Sequence, residues 1–251
     1  MRQVLFEFEL ELRALLSERT QNHEWGRCFL SPGLPRVWDA NWILIEREGI
    51  AAAEVAMLAE QALAGFDHRT VVVADEEDGR RLAGEIVSLP GWEVDRTVYM
   101  AFEGEPRAPD QEVVETPLDG FLDLRRDLIH SWLADSEAEE GTVEQLIEWN
   151  RRYGEIAGDR WFLAPAERAA SACCLMARDG IGQVENVGTL TAARGRGFAK
   201  AVALAALSAS RADGNRITFL AADADDWPRL MYEKLGFVPC GDLTNLRRLP
   251  T

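Results

Sequence analysis

Two arginines alternate with two glycines in Arg194-Gly195-Arg196-Gly197. This loop follows an extended, partly apolar run (Val184 to Leu190) and precedes a stretch of helical composition from Phe198 to Leu207. A strand that opens through glycines into a helix N-terminus is a place to hold phosphate. The first helical turn leaves backbone N–H groups unpaired, and the helix dipole favours an anion beside them. Gly195 and Gly197 carry no Cβ, so the chain can bend sharply and let a pyrophosphate reach the backbone. Arg194 and Arg196 add fixed positive charge and forked donors. The spacing is neither a full dinucleotide fingerprint nor a Walker loop, so alone it reads equally well as a tight turn.

Downstream come a strand by composition (Arg216 to Ala222), a second helix from about Trp227, and Tyr232-Glu-Lys-Leu-Gly-Phe237. Arg-Gly-x-Gly followed at this distance by Leu-Met-Tyr-Glu-Lys-Leu-Gly-Phe resembles the GNAT superfamily of acetyl-CoA-dependent N-acetyltransferases, over about Pro117 to Arg248. The resemblance implies an α/β (α+β mixed sheet) chain with the acyl-CoA N-acyltransferase fold. It implies acetyl-CoA as cosubstrate and direct acetyl transfer to an amine of a small molecule or peptide. A non-catalytic acyl-CoA binding or sensing protein is the alternative, and a pure interaction module a third.

The same resemblance distributes roles. Backbone groups around Val187, Gly188 and Thr189 would line the pantetheine arm and polarise the acetyl carbonyl. Arg194, Gly195, Arg196, Gly197, Phe198 and Ala199 would cradle the pyrophosphate, and Tyr232 would protonate the departing sulfur. Holding the acyl arm needs unpaired backbone, so this strand should splay from its neighbour. Gly188 suits that close approach, and equally a bulge. By period-two alternation Glu185 shares a face with Val187 and Thr189, where its carboxylate could take the ammonium proton directly or through water. The chain departs from the family pattern at Thr191 (often proline), Ala192 (usually Gln or Arg), Asp225 or Asp226 (commonly asparagine) and Pro228 (alanine).

The elements that must position these groups fit in 251 residues, enough for one large or two modest domains. A formal net charge of −16 argues against a nucleic-acid partner over any broad face, but leaves room for one local anion pocket. Cys28, Cys173, Cys174 and Cys240 have no zinc spacing. Buried, reduced thiols are expected, with Cys173 and Cys174 on opposite faces of a strand. His23, His68 and His130 are isolated, so no metal is expected and each reads as structural or surface. Met1 to Leu16 lacks the apolar core of a signal peptide, and no run reaches membrane-spanning length; a cytoplasmic protein without a membrane partner is expected.

In chain order, Arg2 to Glu18 is an amphipathic helix whose stripe serves equally for packing on the body or for a homodimer. Gln21 to Arg36 reads as loop and Val37 to Glu46 as extended. Ala51 to Leu63 is helix, Thr70 to Val73 strand, Gly79 to Val87 helix and Trp92 to Phe102 strand. Gly104 to Asp110 is the expected boundary, dividing a domain at 1–108 from one at 109–251. Beyond it, Val113 to Glu115 suggests a strand. Pro117 to Leu133 and Thr142 to Ile156 read as helices around the acidic Ala134 to Gly141. Trp161 to Ala164 and Ala169 to Ala177 read as a hairpin, with Asp179-Gly180 the next turn.

The two halves match in order and in letters. An offset of 148 residues carries both Asp75 to Asp223 and Arg81 to Arg229. It also lays Glu46-Arg47-Glu48-Gly49 over the Arg194 to Gly197 loop. An internal repeat is the simplest account. The first copy keeps one glycine and puts carboxylates where a diphosphate would sit, so it is expected to have the fold without the coenzyme site.

Overall fold

The computed structural model describes residues 1–133 and 141–249; the acidic stretch after Leu133 lies, up to residue 140, outside them. Two compact units are present. The first comprises Met1–Tyr99, Ala222–Asp226 and the chain from Cys240 onward, and the second Met100–Ala221 and Trp227–Pro239.

The first unit opens with α1 (Arg2–Leu16), β1 (Arg19–His23), β2 (Gly26–Leu30) and β3 (Trp42–Ile45). It continues through α2 (Ala52–Ala62), β4 (Arg69–Val73), α3 (Glu76–Ile86) and β5 (Trp92–Phe102). Helix α1 buries Leu5, Phe6, Phe8, Leu12 and Leu16, and Arg2 ties it down by donating to the carbonyls of Asp242 and Ala74. Ile43, Ile45, Val55, Val71, Val73, Leu82 and Ile86 form the core between β3, β4 and the two helices. Asp75 caps α3 by accepting from the amides of Glu77 and Asp78, which starts the helix three residues before its expected beginning. The expected loop from Gln21 contains the β1–β2 hairpin instead. Its first strand is exposed at every residue, so no alternation marks it. The expected strand at Val37 begins only at Trp42, because Trp38–Ala40 is a 3₁₀ turn and the buried Asn41 side chain bonds the Ser31 amide and the Leu34 and Val37 carbonyls.

The second unit runs β6 (Val114–Thr116), α4 (Leu122–Leu133), α5 (Thr142–Ala157), β7 (Arg160–Ala164), β8 (Ser171–Arg178) and β9 (Ile181–Thr189). Then come α6 (Phe198–Ala212), β10 (Ile217–Asp223), α7 (Pro228–Leu235) and β11 (Phe237–Arg248). Its strands lie in the order β10-β9-β8-β7-β6, with β9 and β10 parallel and the rest antiparallel. Asp179 and Gly180, at φ of 52° and 80°, make the tight turn between β8 and β9. Helix α4 starts at Leu122 rather than Pro117, since Leu118–Gly120 is a 3₁₀ turn. The end of β11 belongs to the first unit: Thr244–Arg248 pairs antiparallel with β4. No helix among the described residues is long and apolar enough to cross a membrane.

Candidate active site

The parallel ladder between β9 and β10 is short. It runs Ile181↔Ile217, Gly182↔Thr218, Gln183↔Phe219 and ends, although β9 continues to Thr189 and β10 to Asp223. Beyond Gln183 the two strands part, so the β10-facing edge of Val184 to Thr189 has no register partner among the described residues. This is the splay expected ahead of the glycine loop.

On its other edge β9 carries a bulge. Cys174 pairs with Glu185 and Ala172 with Gly188, so Asn186 and Val187 together face the single residue Cys173. Asn186 adopts φ 55°, a left-handed conformation that asparagine tolerates better than most residues. The bulge corrects the alternation argument. An extra residue shifts the phase of every side chain after it. Glu185 therefore shares a face with Gly188, not with Thr189, whose partner Ser171 lies one residue from Ala172. Gly188 has a packing reason to lack a side chain: a Cβ there would lie 2.9 Å from Trp132 Cζ2 and 3.4 Å from Leu128 Cδ2, both on α4. Its carbonyl accepts a hydrogen bond from Ser171 Oγ at 2.7 Å.

The loop that follows is open. Gly195 and Gly197 have φ of 76° and 83°, and a Cβ on either would meet nothing within 4 Å. Gly197 is the N-cap of α6; no side chain caps the helix, and no acidic residue stands in its first turn. The guanidinium groups of Arg194 and Arg196 are exposed; among the described residues Arg194 donates to the Thr189 carbonyl at the end of β9 and Arg196 to that of Ala192, each at 3.4 Å. Phe198 and Ala199 are half-buried at the helix start. Uncapped amides, two cations and free space suit a diphosphate.

Tyr232 is 7% exposed in α7, edge-on to Phe237, and its hydroxyl has no hydrogen-bond partner among the described residues. Burial pushes its phenol well above the ordinary tyrosine range, with further upward contributions from Cys173 and Glu185. Tyr232 thus stands within the electrostatic reach of Glu185, and the fold brings these two sequence-picked groups into one neighbourhood. The Glu185 carboxylate accepts from Gln183 Nε2 at 2.7 Å. Burial raises the thiols too, Cys174 to about 12, so neither Cys173 nor Cys174 is a thiolate at neutral pH.

One residue of this region escaped the sequence reading. Arg125 on α4 is 2% exposed. Its Nε donates to Asn150 Oδ1 and its Nη2 to Asn186 Oδ1, both at 2.8 Å. The guanidinium carbon lies 4.7 Å from the Trp132 ring centre and 5.3 Å from that of Trp161. Burial lowers its pKa to about 10. The signal was available: Arg125 sits in the apolar stripe Phe121, Leu128, Ile129, Trp132 at helical spacing, where a charge is out of place.

Residues 165–244, from the β7–β8 turn into β11, match the family model described as FR47-like protein, which is GNAT-related. Among solved structures, the chain is similar to a GCN5-related N-acetyltransferase from Kribbella flavida (TM-score 0.56, 19% identity, 95% of this chain and 92% of that one). It has the GNAT fold. A functionally unknown conserved protein from Staphylococcus epidermidis superposes with a TM-score of 0.67 at 13% identity, over 93% of this chain and 94% of that one. A tandem GNAT protein from the clavulanic acid biosynthesis pathway gives 0.53 at 15% identity, over 82% and 72%. No curated relative matches the chain. The FR47-like match contains every residue picked from the sequence for the site, from Glu185 to Tyr232.

Within this GNAT fold the corresponding loop of the first unit is differently built. Glu46 is paired with Arg27 through two hydrogen bonds of 3.0 and 2.7 Å, and Arg47 with Glu54. The Gly49 amide donates to Asp78 Oδ2 at 2.6 Å and the Ala52 amide to Glu85 Oε2 at 3.4 Å, so carboxylates of α3 already accept from the turn before α2 and from its first residue. Arg81 holds both acids in place and donates to the Ile50 carbonyl. Strand β3 pairs with β4 from Ile43 to its last residue, Ile45, and the Ala74 amide adds one more bond to Ile45.

Proposed function

We propose that the protein is an acetyl-CoA-dependent N-acetyltransferase, a tandem of a degenerate domain at 1–108 and a coenzyme-binding domain at 109–251, acting in the cytoplasm on the amine of a small molecule or peptide. The observation that carries this reading is the parting of β9 from β10 immediately before an uncapped, glycine-hinged helix start. Acetyl-CoA, when bound, supplies the acetyl thioester. Arg194, Arg196 and the amides from Gly195 to Ala199 hold its diphosphate, and the free edge around Val187, Gly188 and Thr189 holds its pantetheine arm.

Direct transfer forms one C–N bond and breaks one C–S bond. It also requires that one proton leave the amine and one reach the thiolate. Glu185 takes the first, directly or through water, and Tyr232 gives the second. Three features support these roles: the phenol is held protonated by its burial, its hydroxyl is uncommitted, and the neighbouring thiols are too weakly acidic to form a covalent intermediate. The test is thiol release from acetyl-CoA with a panel of amines, preceded by calorimetry with CoA. Coenzyme binding without turnover on any amine would leave an acyl-CoA binding or sensing protein; absence of binding would end both readings.

A further inference from the structure

Arg125 is the part of the second unit that acetyl transfer leaves unused. It is a buried cation without a counter-ion among the described residues. Its hydrogen bonds go to the neutral amide oxygens of Asn150 and Asn186, indole rings lie against it, and Nη1 is buried with no partner. In a chain with 43 Asp and Glu against 27 Lys and Arg, no acid among the described residues pairs with this cation. A desolvated, unpaired donor is expensive, and the expense is recovered when an anion arrives.

The position is as informative as the chemistry. Asn186, which orients the guanidinium, is the bulge residue between Glu185 and Val187. An anion on Nη1 would therefore lie close to the proposed acyl and proton-accepting groups. Trp132, which covers the guanidinium from the last turn of α4, is 44% exposed, so solvent lies directly beyond the ring that covers this cation.

We propose that Arg125 Nη1 binds a carboxylate of the acceptor, which makes the acceptor an amino-acid-type molecule with amine and carboxylate a few bonds apart. This rests on the transferase reading above and adds the substrate class to it. Two asparagines and two indoles fix the guanidinium plane in advance, so the carboxylate meets a rigid, poorly hydrated donor. A site built this way discriminates steeply, because an analogue lacking the anion leaves the buried charge unpaired.

The test uses the full chain with acetyl-CoA and matched acceptors: phenylalanine with phenethylamine, tryptophan with tryptamine, histidine with histamine. Calorimetry with CoA comes first, and failure there overturns the transferase reading rather than this one. Given binding, the expected result is a kcat/KM at least about tenfold higher for the acid member of one or more pairs, carried mainly by KM. Arg125→Gln and Arg125→Lys, checked for folding by thermal melting, should collapse that ratio toward one. Should neither variant fold, the wild-type ratio decides alone. The proposal is overturned if the decarboxylated amines are equal or better throughout, if phosphorylated amines are preferred to carboxylates, or if no acid is acetylated or raises the Tm of the CoA-bound protein.

Discussion

Strands β3 and β4 stay joined to the last residue of β3, whereas β9 and β10 separate after Gln183 and Phe219. The Gly49 amide ahead of α2 and the Ala52 amide at its first residue meet the carboxylates of Asp78 and Glu85, whereas α6 has neither a side-chain cap nor an acid in its first turn. Both units keep the same succession of strands and helices around these places. The contrast shows that the same succession of elements can carry a joined seam or an open one. What differs is one inserted residue in β9, the conformation it forces on Asn186, and a handful of charges. Regular pairing against β2 leaves β3 no reason to leave its other neighbour, while the bulge in β9 bends the strand and lets that seam open.

The largest effect should come from importing the first unit's charge into the second. Gly197→Glu places a carboxylate at the mouth of α6, and coenzyme affinity should fall at least about 100-fold by calorimetry. The fold should survive, since a Cβ there meets open space, at a cost of about 1 kcal/mol for the left-handed φ. Unchanged affinity would mean the open seam is not the coenzyme site. Next in size, Tyr232→Phe should lower kcat by about 10²-fold or more while leaving CoA affinity within about twofold. Because burial keeps the phenol protonated, activity should rise with pH as the amine loses its proton. It should show no falling limb up to about pH 10.

The reverse experiment sharpens the comparison. Replacing Asp78 by alanine frees the Gly49 amide and removes a partner of Arg81, which should cost about 1 kcal/mol in denaturant unfolding. The coenzyme stoichiometry should remain one per chain, since β3 and β4 are still joined. A second binding event in Asp78→Ala would show that charge alone closes the first unit. The smallest effect is a pH dependence confined to that unit. Burial depresses the pKa of His68, whose Nε2 lies 2.9 Å from the Asn41 carbonyl. The unfolded chain then binds the proton more readily than the folded one, so stability is complete above about pH 6.5 and is lost as pH falls below it. His68→Gln should flatten that acid limb in melts taken between about pH 7 and pH 5.

Much of this arrangement is legible in the residues, and the exceptions have physical causes. The glycine loop, the tyrosine helix and the ends of β5 follow from composition and turn chemistry, which are local. The β1–β2 hairpin does not, because a strand with no buried face leaves no alternation to read. The faces of Glu185 and Thr189 were inferred from strict alternation, and a single left-handed asparagine invalidates it; that conformation depends on partners from α4 and β8, distant in sequence. Arg125 is visible only as a charge in an apolar stripe, and its burial is a property of what packs on it. The sequence places the carboxylates of Glu46 and Glu48 at the first unit's loop, yet the acids that reach the amides are Asp78 and Glu85, supplied by the helix beyond β4.

The exchange at the end of the chain sets an order of assembly. Residues 69–73 gain their β11 neighbour only from 244–248, which lie about 170 residues further along the chain. Until those two segments meet, β4 carries a bare hydrogen-bonding edge, so the first unit cannot complete its sheet from its own N-terminal stretch.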